Sequence, residues 1–319
     1  MARRGLAEQL DDAIQVLLTN PEAQLPSGEP SVVRLLRIAI ELRDLPRESF
    51  RTQLKAELER KTSSMTTATG TPVREGFQTI TPYLVVQDAA GLIDFVKQAF
   101  GGEELMRSTG SAGGIHCEIR LGDSMIMIGG GGAWRGTPMP SAIHLYVRDC
   151  DSVYQRAVET GATVLRAPQD QDYGDRDASV KDPFGNHWYI GTNKATGHVR
   201  EGLRTATPYF HAHRSADVMD FLKRALGAEE IFRAESPEGT IHHAEIRIGD
   251  SVIEMGDAHA EFQPMPSMML LYVDDADDMY QRAIGAGATS ISEPAQQSYG
   301  RVGAVADPFG NQWYLVTQH

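Results

Sequence analysis

The sequence predicts an α+β protein made of two tandem copies of one domain, and an internal repeat is the main reason. The run Asp-Pro-Phe-Gly-Asn-x-Trp-Tyr stands at 182–189 and again at 307–314. Asp-Pro and Gly-Asn favour tight turns, and the aromatic run that follows favours a strand. Thr-Pro-Tyr likewise stands at 81–83 and 207–209, and further matches keep the same order. The chain from about residue 79 onwards is therefore two versions of one unit.

Each unit is expected to consist of two modules of the form strand, helix and three strands. In the first unit the predicted elements are a strand at 80–86, a helix after Asp88, strands near 103–108, 114–121 and 124–129, then a strand at 142–147, a helix after Asp149, and strands near 163–167, 175–181 and 187–192. Short polar side chains at Asp88, Asp149, Ser215 and Asp275 are good candidates for helix N-caps. This order predicts sheets that carry their helices on one face.

A small helical segment is predicted before the repeats. Apolar residues such as Leu6, Leu10 and Ile14 recur at helical spacing, and residues 1–61 are expected to form short amphipathic helices. The Thr- and Ser-rich stretch 62–78 predicts a linker. The expected domains are then 79–194 and 203–319. The N-terminal helices suit a homodimer contact or docking to a partner, and the sequence leaves open whether the two units pair within one chain.

Composition narrows the classes of partner. The 319 residues have a net charge of −13, which argues against nucleic acid and anionic membrane surfaces as partners. Residues 1–61 hold ten basic and ten acidic side chains, so the acidic excess belongs to the repeats. No apolar run approaches a membrane span or the core of a signal peptide. The two cysteines, Cys117 and Cys150, form no disulfide framework or zinc pattern, which predicts a reduced, cytoplasmic protein.

Strand alternation predicts which side chains face a cleft. In the strand ending at Leu121, Cys117 is expected to pack under the helices, which leaves His116 and Glu118 for the open face. The second unit repeats this pattern with His243 and Glu245. A histidine two residues before a glutamate can shuttle a proton, so these four residues are the catalytic candidates. The alternative is structural, because Glu-x-Arg on a sheet face commonly forms a cross-strand ion pair.

Aromatic side chains are expected to line the clefts and contact a ligand. The candidate ligand-binding residues are Tyr83, His144, Tyr146, Tyr189, Tyr209, Tyr272, Tyr314 and, beside a run of four glycines, Trp134. Strand parity is expected to place His116, Glu118, His144, Tyr146 and Tyr189 on one concave surface in the first unit. In that setting Glu118 is expected to be solvated.

The paired modules ending in Asp-Pro-Phe-Gly-Asn-x-Trp resemble the vicinal oxygen chelate superfamily, which includes glyoxalase I, bleomycin-resistance proteins and extradiol dioxygenases. Ile-Arg-Leu-Gly-Asp-Ser at 119–124 and Tyr-Gly-Asp-Arg at 173–176 are most similar to its PhnB-like branch. The resemblance covers about residues 79–318. It implies curled sheets with the cleft inside, and in metal-dependent members ligands from the first, fourth, fifth and eighth strands.

Carried over by position, that ligand pattern fits this sequence poorly. The first unit offers Thr81, Met127, Ala142 and Tyr189, and the second offers Thr207, Glu254, Met268 and Tyr314. No metal is expected in the first unit. A divalent ion in the second unit would need an irregular set made of His211, His243 and Glu254.

Three functions remain open at this stage. The first is a metal-independent small-molecule binding protein with tyrosine-lined clefts, whose acidic surface would suit a cationic ligand. The second is a lyase, isomerase or glyoxalase-like enzyme acting on a small carbonyl compound through a non-standard His/Glu site, with or without a metal ion. The third is a scaffold that recruits a partner through residues 1–61.

Overall fold

A computed structural model describes residues 73–132, 136–200, 202–260 and 262–318. The predicted N-terminal helices, most of the predicted linker and Trp134 lie outside these residues. None of the described helices is long and apolar enough to cross a membrane.

The predicted order of strand, helix and three strands occurs four times in the described chain. The first repeat contains β1 (Ile80–Val86), α1 (Ala89–Phe100), β2 (Glu103–Thr109), β3 (Ile115–Leu121), β4 (Ser124–Gly130), β5 (Ala142–Tyr146), α2 (Cys150–Glu159), β6 (Thr163–Asp170), β7 (Asp175–Lys181) and β8 (His187–Asn193). The second contains β9 (Ala206–Ala212), α3 (Ser215–Leu226), β10 (Glu229–Glu235), β11 (Ile241–Ile248), β12 (Ser251–Asp257), β13 (Met268–Tyr272), α4 (Ala276–Gly285), β14 (Thr289–Gln297), β15 (Gly300–Ala306) and β16 (Gln312–Thr317).

The strands form two eight-stranded sheets, and each sheet takes one module from each repeat. Sheet I has the order β14-β15-β16-β13-β1-β4-β3-β2, and sheet II has the order β10-β11-β12-β9-β5-β8-β7-β6. The two modules of sheet I meet where β1 pairs antiparallel with β13, and those of sheet II meet where β5 pairs with β9. The repeats therefore pair within one chain.

The hydrophobic cores follow the repeats even though the sheets do not. One core joins Leu84 and Leu92 of the first module to Trp188 of the second, and another joins Phe210 to Trp313. Cys117 lies on the packed face with no exposure, as strand alternation predicted. Both cysteines are free and buried, and burial raises the pKa of Cys117 to about 11. Because a thiol with a raised pKa is a poor nucleophile, Cys117 acts as a core residue.

Three of the four predicted N-caps are confirmed. The side chains of Asp88, Asp149 and Asp275 accept hydrogen bonds from the first turns of α1, α2 and α4. The prediction for Ser215 was wrong. The N-cap of α3 is Arg214, which makes no side-chain cap, and the Ser215 amide donates instead to Asp257 Oδ1 at 2.7 Å. A carboxylate from the end of β12 replaces the local cap, which a search along neighbouring residues could not detect.

The repeated Asp-Pro-Phe-Gly-Asn turn is held by its aspartate. Asp182 accepts hydrogen bonds from the Phe184 and Asn186 amides at 2.9 Å and from Trp188 Nε1 at 2.9 Å. Asp307 makes the same contacts in the second repeat. Gly185 at the turn has φ +100°, a conformation that favours glycine. The motif is therefore a structural device that fixes the buried tryptophan at the start of the last strand of each repeat.

The repeated Gly-Asp-Ser hairpins fasten the two repeats to each other. Asp123 Oδ1 accepts the Thr205 amide at 2.8 Å, and Asp250 Oδ1 accepts the Thr79 amide at 2.8 Å. Burial alone would raise the pKa of Asp123, but the hydrogen bonds from Thr205 lower it overall. Each hairpin thus binds the start of the first strand of the other repeat, at the two junctions between modules.

Candidate functional site

Each sheet has an open face opposite its helices, named cleft I on sheet I and cleft II on sheet II, and the two faces carry different candidate residues. Cleft I, on sheet I, contains Tyr83, His116, Glu118, Tyr272 and Tyr314. Cleft II, on sheet II, contains His144, Tyr146, Tyr189, Tyr209, His211, His243, Glu245 and Glu254. The expectation that His116 and Glu118 share one surface with His144, Tyr146 and Tyr189 was wrong. His116 and Glu118 belong to the first module, which pairs with the last module in sheet I. His144, Tyr146 and Tyr189 belong to the second module, which lies in sheet II.

Cleft II encloses a cavity of about 400 Å³. Its aromatic walls are formed by Tyr146, Tyr189, Tyr209, Phe232 and Phe262. The Tyr189 and Tyr209 rings lie 5.0 Å apart between centroids. A volume of this size and an aromatic lining are typical of sites for small organic ligands.

A compensated set of charges forms the floor of cleft II. Glu254 has no exposed surface, and its Oε2 lies 2.8 Å from His144 Nδ1. Its Oε1 lies 3.5 Å from Arg200 Nη2. Arg200 Nη2 also donates a short hydrogen bond to Glu245 Oε1, and His243 Nε2 lies 3.2 Å from the same oxygen. A buried carboxylate needs such partners, because burying an unpaired charge is strongly unfavourable.

The pKa shifts of the floor favour the ionised pair. Burial alone would lower the pKa of His144, but the Glu254 carboxylate raises it overall. Burial alone would raise the pKa of Glu254, but His144 and the nearby His243 and Arg200 lower it overall. The imidazolium and the carboxylate therefore stabilise each other. His144 also stacks on Tyr146 with a centroid distance of 4.1 Å.

Two aspartates on β7 give cleft II an acidic wall. Asp177 accepts hydrogen bonds from Arg166 at 2.9 Å and Gln171 at 2.7 Å, and a short one from the Tyr173 hydroxyl. Asp175, also buried, accepts one from Asn193 at 2.6 Å. None of the described residues forms an ion pair with Asp175. This wall adds negative charge beside the aromatic surfaces.

Cleft I holds the same His-Glu pair with a simpler floor. The Tyr83 hydroxyl lies 2.8 Å from His116 Nδ1, and burial raises the pKa of Tyr83 to about 12. The phenol is therefore protonated at neutral pH and shares a hydrogen bond with His116. Arg74 Nη1 lies 2.5 Å from Glu118 Oε1.

The expected solvation of Glu118 was wrong, because this side chain is only 3 % exposed. The structural alternative, a cross-strand ion pair, holds for the arginine of the Glu-x-Arg pattern but not for its glutamate. Arg120 pairs with Glu103, while Glu118 pairs with Arg74 from the segment before β1.

A divalent ion fits cleft II poorly while Arg200 is in place. The group of potential ligands that lies together is His243, Glu245 and Glu254, with ligand atoms within 4.8 Å of one another. The expected ligand His211 lies outside this group, and its Nε2 is 2.6 Å from the Tyr189 hydroxyl. Arg200 Nη2 contacts the same two carboxylate oxygens that face His243 Nε2. A guanidinium at that point repels a second cation.

The arginines were missed because residues 62–78 were taken for a linker and residues 195–202 were left outside both expected domains. Val-Arg-Glu-Gly stands at 73–76 and again at 199–202, at the offset of the repeat. This match extends each repeat toward the N-terminus and makes Arg74 and Arg200 equivalent positions. The arginines were thus detectable, whereas Asp175 and Asp177 carried no signal, since Gly300 and Val302 occupy the equivalent positions.

Comparison with known proteins agrees with this architecture. An uncharacterized protein of Mycobacterium bovis, Mb0911c, is 42% identical over 123 residues, which span 35% of this chain and 81% of that protein. The uncharacterized protein MT0910 of Mycobacterium tuberculosis is 42% identical over 123 residues, spanning 35% of this chain and 72% of that protein. The crystal structure of glyoxalase I from Zea mays superposes with a TM-score of 0.58 at 15% identity, covering 74% of this chain and 92% of that chain.

At that identity the maize structure supports the fold alone. The sequence pattern of the Glyoxalase/Bleomycin resistance protein/Dioxygenase superfamily matches residues 76–190 and 214–315, most of the described chain. This match, which the two tandem domains and their repeated motifs accompany, shows that the chain belongs to this superfamily.

Proposed function

We propose that the chain binds a small molecule in cleft II and does so without a resident metal ion. The observation that carries this proposal is the compensated floor of an aromatic cavity. Glu254 is completely buried in a cavity of about 400 Å³, yet its charge is balanced by His144 and Arg200 from the chain itself. Such a cavity needs no ion to hold its carboxylates together and keeps its aromatic walls for a ligand.

The lining favours a ligand with a flat apolar part and a cationic or hydroxyl-bearing part. Tyr189, Tyr209 and Phe262 offer stacking surfaces. Asp175 and Asp177 lie on one wall, and Arg166 offsets only part of their charge. A cationic group near an aromatic face and a carboxylate gains from both.

A thermal-shift screen of small cationic aromatic compounds tests the proposal. Ligand at 100 times Kd stabilises a protein by about 2.7 kcal/mol, which is readily measured as a rise in Tm. Phe232→Ala removes an exposed cavity wall and should abolish the shift. Met106→Ala is the matched control, because Met106 faces Glu118 as Phe232 faces Glu245. A shift lost in Met106→Ala and retained in Phe232→Ala would refute binding in cleft II.

Acid–base chemistry on a small carbonyl compound is the second candidate function, and the position of His243 favours it. The side chain is 27% exposed toward the cavity and is oriented by Glu245 at 3.2 Å. A histidine held by a carboxylate in this way can remove a proton from a bound substrate. Turnover of a carbonyl panel followed by NMR should be lost in His243→Gln and kept in His116→Gln. Turnover kept in His243→Gln and lost in His116→Gln would exclude cleft II as the reaction site.

A further inference from the structure

We infer that Arg200 occupies the place of a divalent cation in cleft II, and that His243, Glu245 and Glu254 form a metal site masked by its guanidinium. This inference deepens the proposed function, since it names the residue on which the metal independence depends. It does not depend on the identity of the bound small molecule.

The three side chains converge because of strand geometry. His243 and Glu245 are two residues apart on β11, so they point to the same face. Glu254 lies directly opposite Glu245 on β12. His243 Nε2 is 3.2 Å from Glu245 Oε1 and 3.8 Å from Glu254 Oε1. Ligands held about 2.0–2.2 Å from a zinc ion lie roughly 3–4 Å from one another, so these spacings suit a first coordination shell.

The surroundings of Glu254 resemble the outer shell of a metal site. Its second oxygen, Oε2, is bonded to His144 Nδ1 at 2.8 Å, which fixes the carboxylate and directs Oε1 toward His243. Carboxylate ligands of metal ions are commonly held by hydrogen bonds of this kind. The side chain has no exposed surface, so its orientation is set by these contacts.

Arg200 fills the point on which the ligand atoms converge. Its Nη2 donates to Glu245 Oε1 and lies 3.5 Å from Glu254 Oε1. The arginine is not part of the sheet but comes from the segment between β8 and β9, and its side chain is 34% exposed. Truncating it therefore removes the guanidinium without opening the hydrophobic core. Since arginine does not lose its proton in proteins, only displacement of the side chain can vacate the position.

Cleft I supplies a matched comparison inside the same chain. Arg74 binds Glu118 there as Arg200 binds Glu245, and His116 Nε2 lies 3.7 Å from Glu118. The third ligand is missing, because Met127 faces Glu118 where Glu254 faces Glu245. Two ligands do not make a stable site, so removal of Arg74 should yield no metal binding.

Metal binding by the full chain tests the inference. Wild type, Arg200→Ala, Arg200→Gln and Arg74→Ala are dialysed against Zn²⁺ or Mn²⁺ alone, and bound metal is measured by elemental analysis. We expect Arg200→Ala to bind one ion per chain at least about a hundredfold more tightly than wild type, because a positive charge that contacts the same carboxylate oxygens is removed. Arg74→Ala should behave like wild type. Arg200→Gln should also gain the ion, and it serves if the alanine variant fails to fold.

Two further variants locate the ion. Adding Glu254→Gln to Arg200→Ala should return the affinity to that of wild type. Adding Met127→Glu to Arg74→Ala should create a second site in cleft I. If neither Arg200 variant gains an ion, the masked site is refuted while metal-free ligand binding stands. If wild type itself binds one tight ion that Glu254→Gln removes, both the masking and the metal independence of the proposed function are refuted.

Discussion

Cleft I and cleft II have the same frame and different floors. The frame consists of six equivalent pairs: Arg74 and Arg200, Tyr83 and Tyr209, His116 and His243, Glu118 and Glu245, Tyr272 and Tyr146, and Tyr314 and Tyr189. The floors differ at Met127 against Glu254 and at Leu270 against His144. The frame is a property of the duplicated fold. The buried ion pair belongs to cleft II, which indicates that the two copies have diverged in chemistry while keeping one architecture.

Giving cleft II the floor of cleft I should have the largest effect. Glu254→Met alone leaves His144 buried without its carboxylate, and we expect it to cost about 3–5 kcal/mol of unfolding free energy. Adding His144→Leu removes the buried histidine that has lost its carboxylate partner, and it should restore much of the lost unfolding free energy. Urea denaturation of wild type, both single variants and the double variant closes the cycle. Additive losses would show that the two residues are not coupled.

Substitution of Gly191 should have a smaller effect on stability that is equally specific to cleft II. A Cβ at this glycine would lie 2.8 Å from His144 Nε2. In the other repeat, Val316 and Leu270 occupy the positions equivalent to Gly191 and His144. Gly191→Ala is expected to destabilise by about 1–3 kcal/mol through overpacking. In the His144→Leu background the cost should fall, because the leucine can adjust its rotamer. An unchanged cost in that background would locate the strain in the backbone, away from the imidazole.

Glu118→Gln should have a still smaller effect. Arg74, its partner, is 45% exposed and can turn toward water when the carboxylate is lost. We expect a cost of about 1 kcal/mol, and ligand-induced stabilisation through cleft II should be unchanged. The measurements are Tm with and without ligand on the same variant. Loss of the ligand effect would mean that cleft I takes part in binding.

The charged floor should also shape the dependence of stability on pH. The pKa of His144 is raised above its ordinary 6.5, so its contribution is complete below about pH 6.5 and is lost as pH rises through the folded-state value. The pKa of Glu254 is lowered from 4.5, so its contribution is present above about pH 4.5 and is lost in acid. The difference in Tm between wild type and the His144→Leu/Glu254→Met variant should therefore be largest between about pH 4.5 and about pH 6.5. Parallel profiles of Tm against pH would contradict this.

Local sequence patterns were sufficient to predict the secondary-structure elements and the strand face on which a side chain lies. They did not predict which strands pair. Alternation placed Cys117 in the core and Glu118 in a cleft, because side-chain direction depends on the strand alone. The pairing of β1 with β13 depends on contacts between residues about 190 positions apart, as in Ile80 with Leu271. Strand alternation around Ile80 does not specify that partner strand. The division of the candidate residues between two clefts, and the role of Arg200, follow from this long-range pairing.

The placement of sheet II between the two halves of sheet I along the chain predicts which sheet folds first. Sheet II uses the contiguous strands β5–β12, whereas sheet I joins β1–β4 to β13–β16 at the far end of the described chain. Contacts of long sequence separation form slowly, because the intervening loop must first be closed. We therefore expect amides of β5 and β9 to gain protection before those of β1 and β13 in pulsed hydrogen exchange during refolding. Simultaneous protection would mean that both sheets form in one step. On a ribosome, the charged cleft would then be assembled while the last module is still being made.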